Sequence, residues 1–305
     1  MWAIGAIMTE TIGIIGLGSM GYGMASSVLK AGHITHGFDV NKAQVSKFIA
    51  EGGATGALND VVPKLDAAMI VVLNAAQTET VLFGPSGIVS NMRKGSVVIA
   101  CATVAPDFAR EMAAKAAEYG VHYLDAPISG GSIKAAAGAL SIMASGTAEA
   151  FKAATPALDA TAEKVFKLGE VGAGSAMKAV NQLLAGVHIA TMAEAMTFGM
   201  TQGVTPEQFM EVIPNCAGSS WMLENRGPHI VDGDYTPHSS VNIWPKDLGI
   251  VLDIAKSAGF GAPVTAAALQ QFLAAAGSGL GNEDDAAVAK VYARNAGLTL
   301  PTKDT

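Results

Sequence analysis

The stretch Thr11–Asp39, TIGIIGLGSMGYGMASSVLKAGHITHGFD, decides the fold. Thr11 to Ile15 is an apolar run of strand length, and Gly16, Gly18 and Gly21 follow at the spacing G-x-G-x-x-G. Met20 to Leu29 reads as a helix, Gly32 stands where a helix stops, and Ile34 to Phe38 reads as the next strand with Asp39 at its end. In such a unit one glycine makes the tight turn. Another lets backbone approach a pyrophosphate, and the last lets helix pack closely on strand. The pyrophosphate would rest on N–H groups at the helix N-terminus. Asp39 lies 21 residues after Gly18, where an acid accepts from the adenosine ribose hydroxyls. A bare glycine pattern means little in a chain with 35 glycines. Strand, turn, helix, strand and acid in that order point to a dinucleotide. Gly16, Leu17, Gly18, Ser19, Met20 and Gly21, together with Asp39, are therefore expected to hold the cofactor. The carboxylate would repel the 2′-phosphate of NADP, which makes NAD the expected partner.

Outward from this unit, strands and helices alternate. Asn41 to Ala50 reads as a helix closed by Gly52-Gly53. Ala67 to Leu73 is a strand, after which Asn74 opens a helix. Val97 to Cys101 is another strand, with Thr103 behind it and Pro106 starting a helix through Tyr119. Val121 to Leu124 follows, then the segment DAPISGG, Asp125 to Gly131. This alternation predicts a parallel, doubly wound sheet. Ligands of such sheets bind beyond the carboxyl ends of the strands, where Leu73, Asn74, Thr103 and Asp125 to Gly131 fall. Leu140–Ala144 and Lys164–Leu168 read as two further strands, and from Gly174 onward only helices are expected. The expected fold is therefore α/β: a Rossmann domain over residues 9–172 and an all-α domain over 173–305, joined by a long helix. The leader MWAIGAIMTE is expected to be a floppy extension, and the polar tail from Pro301 to Thr305 to be disordered.

Composition narrows the class. Half of the 305 residues are hydrophobic, 15% are charged and the net charge is −7, which speaks against nucleic acid or an anionic membrane as partner. Ile12–Leu29 and Met177–Met200 are apolar enough to test as membrane spans. The first holds five glycines and the turn; the second carries Lys178, Asn181, Gln182, His188 and Glu194, so neither reads as a span. The two cysteines, Cys101 and Cys216, make neither a metal pattern nor a disulfide framework. That usage fits a reducing cytoplasm, and the leader lacks the basic and apolar regions of a secretory signal.

Two segments carry candidate chemistry. In DAPISGG the Ser129 hydroxyl and the N–H groups of Gly130 and Gly131 form either a small nest for a substrate carboxylate or an ordinary Pro/Gly loop. Gly172-Ala173-Gly174 precedes the long helix, on which Lys178, Asn181 and Gln182 share one face at i, i+3 and i+4. The lysine either snorkels to the surface or is partly desolvated, with its pKa lowered toward proton transfer. Lys246-Asp247 reads as the start of a later helix, either as a charged first turn or as a second cationic contact to cofactor or substrate.

Together these pieces resemble the β-hydroxyacid dehydrogenase family over roughly residues 11–298. The glycine-rich opening matches GLGSMGYGMASSVLKAGH, the substrate motif matches DAPISGG, and the catalytic motif G-x-G-x-x-x-K-x-x-N matches Gly172, Gly174, Lys178 and Asn181. The late cofactor motif matches KDLG at Lys246–Gly249. The resemblance implies an NAD-dependent oxidoreductase of a small β-hydroxyacid, needing no metal. It implies Lys178 as catalytic lysine, Ser129, Gly130 and Gly131 as substrate contacts, and Thr103 and Lys246 as cofactor contacts. Asn181 and Gln182 would orient lysine and substrate, and a helical C-terminal domain would build a homodimer or homotetramer. Three positions depart from the usual pattern: Leu73-Asn74 in place of Leu-Pro, Cys101-Ala102 before the threonine, and Gln182 where a second asparagine is common. The run NQLLAGVHIA, Asn181 to Ala190, resembles the branch of the family that acts on L-threonate; 3-hydroxyisobutyrate and tartronate semialdehyde are the alternatives. A non-catalytic dinucleotide-binding interaction protein on the same scaffold is the reading from another class.

Overall fold

The computed structural model describes residues 9–303. The expected floppy leader falls almost wholly outside the described residues, as do the last two residues of the tail. Lys303, at the described end of that tail, is ion-paired with Asp234 at 2.8 Å.

The opening unit forms β1 (Thr11–Ile15), α1 (Gly21–Lys30) and β2 (Ile34–Phe38). The chain continues through α2 (Lys42–Ala50), α3 (Leu58–Val61), β3 (Ala67–Ile70), α4 (Ala75–Phe83), β4 (Val97–Ala100), α5 (Pro106–Glu118) and β5 (His122–Asp125). The five strands form one parallel sheet in the order β2-β1-β3-β4-β5. Alternate residues of each central strand enter different cores. Ala67, Met69, Val97 and Ile99 pack with Met24 and Val28 of α1. Ala68, Ile70, Val98 and Ala100 pack with Leu82 of α4 and Met112 of α5. Burial on both faces is why these strands read as unbroken apolar runs rather than as alternating ones. The sheet is the expected doubly wound Rossmann arrangement.

Three details differ from the sequence expectation. β3 stops at Ile70, not Leu73, because its neighbour β1 ends where the chain turns at Gly16; the last rung is Val71 N–H to Ile15 O, 2.8 Å. Leu73 and Asn74 serve the next helix instead. The Asn74 side chain accepts from Gln77 N–H and the Gln77 side chain accepts from Leu73 N–H, both at 2.9 Å. Second, DAPISGG is not a plain loop. It contains β6 (Ile128–Ser129) and enters α6 (Gly131–Ala136), and with β7 (Leu140–Ala144) and β8 (Ala162–Lys167) it builds a separate three-stranded sheet, β6-β7-β8. β6 is antiparallel to β7, and β8 is parallel to it. A backbone bridge between Asp125 and Ser145, at 3.0 and 2.8 Å, links the ends of β5 and β7. Between β7 and β8 runs α7 (Ala148–Thr161).

Beyond β8 lies α8 (Ala173–Thr201), 29 residues long. Packing divides the chain within this helix, one compact unit ending at Lys178 and the other starting at Ala179. The second unit continues through α9 (Pro206–Val212), α10 (Trp221–Val231), α11 (Ile243–Ser257), α12 (Pro263–Ala275) and α13 (Ala289–Asn295). Its core gathers Ile189, Met192, Met196, Phe209, Trp244, Leu248 and Phe272. The third difference is here. α11 begins at Ile243 rather than at Lys246, because a proline in the first turn, Pro245, leaves no required N–H bond unmade. By length and composition α8 is able to cross a membrane. Of its most apolar window, 44% is buried inside the protein.

Candidate active site

Two of the three glycines of the turn are required by close approach of neighbouring backbone. Gly16 has φ near +100°, and a Cβ there would lie 2.2 Å from Val71 O; one at Gly21 would lie 1.8 Å from Gly16 O. The first is required by the turn, the second by the closeness of α1 to β1. A Cβ at Gly18 would meet nothing within 4 Å, so that side of the turn is open to a ligand. No side chain caps α1; in its first turn Tyr22 N–H donates to Gly18 O at 3.0 Å and Met24 N–H to Met20 O at 3.1 Å. Gly18 and Ser19 are exposed and Met20 half-buried, whereas the Leu17 side chain is part of the core. Leu17 N–H donates to Asp39 Oδ2 at 2.6 Å, and Asn41 N–H donates to Asp39 Oδ1 at 2.7 Å. An ionised carboxylate has about four acceptor positions, so a ribose diol still finds acceptors on Asp39. These features fit the pyrophosphate and ribose of a dinucleotide. Thr103, half-buried, and Leu73-Asn74 lie just past the carboxyl ends of β4 and β3 on the same sheet.

At the end of β5 the buried carboxylate of Asp125 gathers the start of α8. Its Oδ2 accepts from Gly172 N–H (3.1 Å), Ser175 N–H (2.9 Å) and the Ser145 hydroxyl (3.1 Å), while Oδ1 accepts from the Ser175 hydroxyl (2.7 Å). Burial pushes the Asp125 carboxyl above its ordinary range, and these hydrogen bonds oppose the rise. Gly174 allows this closeness; a Cβ there would lie 2.3 Å from Met143 O and 2.8 Å from Asp125 O. One turn further on, Lys178 is 8% exposed, and its Nζ donates to Ile128 O at 2.8 Å. Nζ therefore turns inward, toward the residue preceding Ser129, rather than snorkelling. Gly130 and Gly131 follow with φ of +134° and +75°. Asp125, the segment Ile128–Gly131 and Lys178 are thus tied together by short bonds.

In the helical unit, Gln182 is 7% exposed and its Nε2 donates to Asp247 Oδ2 at 2.5 Å. Its Oε1 accepts from Asn181 Nδ2 at 2.9 Å. Lys246 Nζ lies 2.7 Å from the other oxygen of Asp247, a residue only 2% exposed. Lys246-Asp247 is thus a buried polar junction rather than a solvated first turn. The sequence reading assigned no role of their own to Asp125, Ser145, Ser175 or Asp247. The available signals were an acid at a strand's carboxyl end and a serine one residue after Gly174. Cys101, two residues before the cofactor threonine, is buried; burial pushes its thiol up to about 12, which removes it as a nucleophile near neutral pH.

Comparison with known proteins now decides the family. The family model for the NAD-binding domain of 6-phosphogluconate dehydrogenase matches residues 11–169. The model for the NAD-binding region of NADP-dependent 3-hydroxyisobutyrate dehydrogenase matches residues 172–292. The chain belongs to the 3-hydroxyisobutyrate dehydrogenase family. It is accordingly an NAD-dependent hydroxyacid dehydrogenase, as the order of its motifs implied. Among its relatives, an L-threonate dehydrogenase from Cupriavidus necator is 48% identical over 298 residues, covering 97% of this chain and 99% of that protein. The L-threonate dehydrogenase of Escherichia coli K12 is 46% identical, covering 95% and 96%. A crystal structure titled 3-hydroxyisobutyrate dehydrogenase, from Salmonella typhimurium, superposes with a TM-score of 0.86 at 45% identity, covering 92% of this chain and 99% of that one.

Proposed function

We propose that this family member oxidises L-threonate with NAD, with Lys178 as the proton-transfer group. The observation that carries the role of the lysine is its buried Nζ, held 2.8 Å from Ile128 O beside Ser129 and two positive-φ glycines. The substrate carboxylate would be held by the Ser129 hydroxyl and the Gly130 and Gly131 N–H groups. A neutral lysine amine keeps N–H donors and one lone pair. Its bond to Ile128 O holds Nζ beside Ser129. Lys178 then takes the hydroxyl proton as the carbonyl forms, and returns one in the reverse direction. NAD, when bound, supplies the hydride acceptor. Gly16 to Gly21, Asp39, Leu73, Asn74, Thr103 and Lys246 would hold it, and the Asp39 carboxylate favours NAD over NADP by like-charge repulsion.

The substrate assignment rests on the relatives of 44–48% identity that are L-threonate dehydrogenases and on Gln182, a polar residue able both to donate and to accept. The likeness to the Salmonella 3-hydroxyisobutyrate dehydrogenase structure favours a second reading, 3-hydroxyisobutyrate. Absorbance at 340 nm, with NAD or NADP and a panel of hydroxyacids, decides both questions. L-threonate with NAD is expected to give the highest kcat/KM. A higher value for 3-hydroxyisobutyrate would overturn the substrate and keep the enzyme class. Tight NAD binding with no turnover across the panel would favour the non-catalytic reading.

In this reading residues 9–172 bind NAD, and residues 173–305 contribute substrate and subunit contacts in the cytoplasm. Val180, Leu184, Phe198, Trp221 and Phe260 are each more than 45% exposed, more apolar surface than a helical unit keeps bare in water. A homodimer, or a tetramer of dimers, is the expected mass by light scattering at micromolar concentration; a monomer would refute it.

A further inference from the structure

We infer that Asp247, acting through Gln182, sets the amide of Asn181 so that its carbonyl oxygen is the group offered to substrate. Asp247 and Gln182 are then positioning residues that select acids bearing an extra hydroxyl. The inference rests on the proposed placement of substrate along the Lys178 face of α8.

The argument is one of donors and acceptors, anchored at a carboxylate. Asp247 is buried and faces the Lys246 ammonium with one oxygen at 2.7 Å. A carboxylate only accepts, so the Gln182 atom 2.5 Å from its other oxygen has to be the NH2 group. That assignment does not depend on how the amide is drawn, which is otherwise ambiguous. Gln182 Oε1 then faces away from Asp247, and it too only accepts. The Asn181 atom 2.9 Å from it is therefore the Asn181 NH2. The Asn181 carbonyl oxygen is left outside the chain of bonds. It lies on the residue one turn after Lys178, a position suited to accept from a hydroxyl. An asparagine at 182, shorter by one methylene, would fall short of Asp247 by ~1.5 Å, about one C–C bond. The departure Gln182 from the commoner Asn-Asn pattern is thus what completes the relay. A site built to pair with a hydroxyl discriminates strongly against an analogue that lacks it, because its own polar group is left unpaired.

The test uses the full-length enzyme at saturating NAD and reads the ratio of kcat/KM for L-threonate over 3-hydroxyisobutyrate, which bears a methyl group instead of the extra hydroxyls. Gln182→Leu removes both the donor and the acceptor of the amide and should lower the ratio by about tenfold or more at every pH, mainly through KM for L-threonate. Gln182→Glu keeps the length. At low pH a proton shared with Asp247 lets the substituted carboxyl group donate to Asp247 and accept from Asn181, so the ratio should approach wild type. As pH rises the two carboxylates repel and the ratio should fall. A merely structural Gln182 would move stability without moving this pH profile. A ratio in Gln182→Glu that stays at the wild-type value up to about pH 9, where both carboxyl groups would be ionised, or one unchanged in Gln182→Leu, would overturn the relay while leaving the substrate reading intact. If wild type itself turned over no acid of the panel, the proposed function and the relay would fall together. Melting temperatures of both variants identify a folding defect, and a variant that melts early is replaced by Asp247→Asn, which should lower the ratio likewise.

Discussion

Buried carboxylates are held differently in the two units. In the sheet-containing unit Asp125 accepts from neutral donors: two backbone N–H groups and two serine hydroxyls. In the helical unit the buried acids sit against basic side chains: Arg226, His229 and Lys246. Asp285 accepts from Arg226 Nε at 2.6 Å and from Trp244 Nε1 at 2.9 Å. Asp284 lies 2.9 Å from His229 Nδ1 and accepts from His238 N–H and Ala286 N–H. The difference matters for what each arrangement can fix. Two backbone N–H donors, completed by two short serine hydroxyls, tie the first turn of α8 to Asp125. Side-chain partners place other side chains, so one substitution retunes them. The catalytic candidate depends on the first kind of anchoring, and the specificity relay through Gln182 on the second.

Substitutions at these acids sharpen the contrast. Asp125→Ala leaves four donors around the α8 start without an acceptor and should cost about 3–5 kcal/mol, read by denaturant unfolding. Asp285→Asn comes next, at about 3 kcal/mol. Both of its oxygens face donors, so an NH2 group meets either Arg226 or Trp244. Burial pushes the Asp285 carboxyl up to about 6, against the opposing pull of Arg226. A raised carboxyl pKa means stability that is present below the unfolded value and lost as pH rises through the folded one. Wild type therefore gains from Asp285 between about pH 6 and 4, whereas the asparagine variant does not, and the penalty should grow as pH falls across that window. Asp125→Asn should be the mildest, below about 1 kcal/mol. Its carbonyl replaces Oδ2, and its NH2 faces the Ser175 hydroxyl, which can accept. Equal penalties for Asp125→Asn and Asp285→Asn would erase the distinction between neutral and ionic anchoring.

The sheet was legible because its signals are local. A glycine turn, apolar runs of strand length and an acid at a strand end each report on a few neighbouring residues. The spacing alone assigns Gly16, Gly18 and Gly21 separate jobs; the structure shows close approaches at Gly16 and Gly21 and open space at Gly18. The switch to helices after residue 172 was visible for the same reason. What escaped was long-range. Asp125 meets Ser175 across 50 residues and Gln182 meets Asp247 across 65; no periodicity encodes such pairs. β6 escaped because two residues are too few for a pattern, and its pairing with Ile142 and Ser141 of β7 is what makes it a strand. The expected strand end at Leu73 failed because apolar character outlasts the pairing that β1 allows.

Lys178 as the proton-transfer group is the central claim, and kcat of Lys178→Arg beside Lys178→Ala tests it most directly. Both variants should bind NADH nearly as wild type does, measured by fluorescence, since the cofactor residues proposed here lie elsewhere. Both should lose about two to four powers of ten in kcat, the usual worth of a positioned acid–base group. Arginine retains the charge but cannot release its proton near neutral pH, so it should rescue nothing. A Lys178→Arg enzyme with near-normal kcat would contradict the account and leave the lysine as an electrostatic anchor for the substrate.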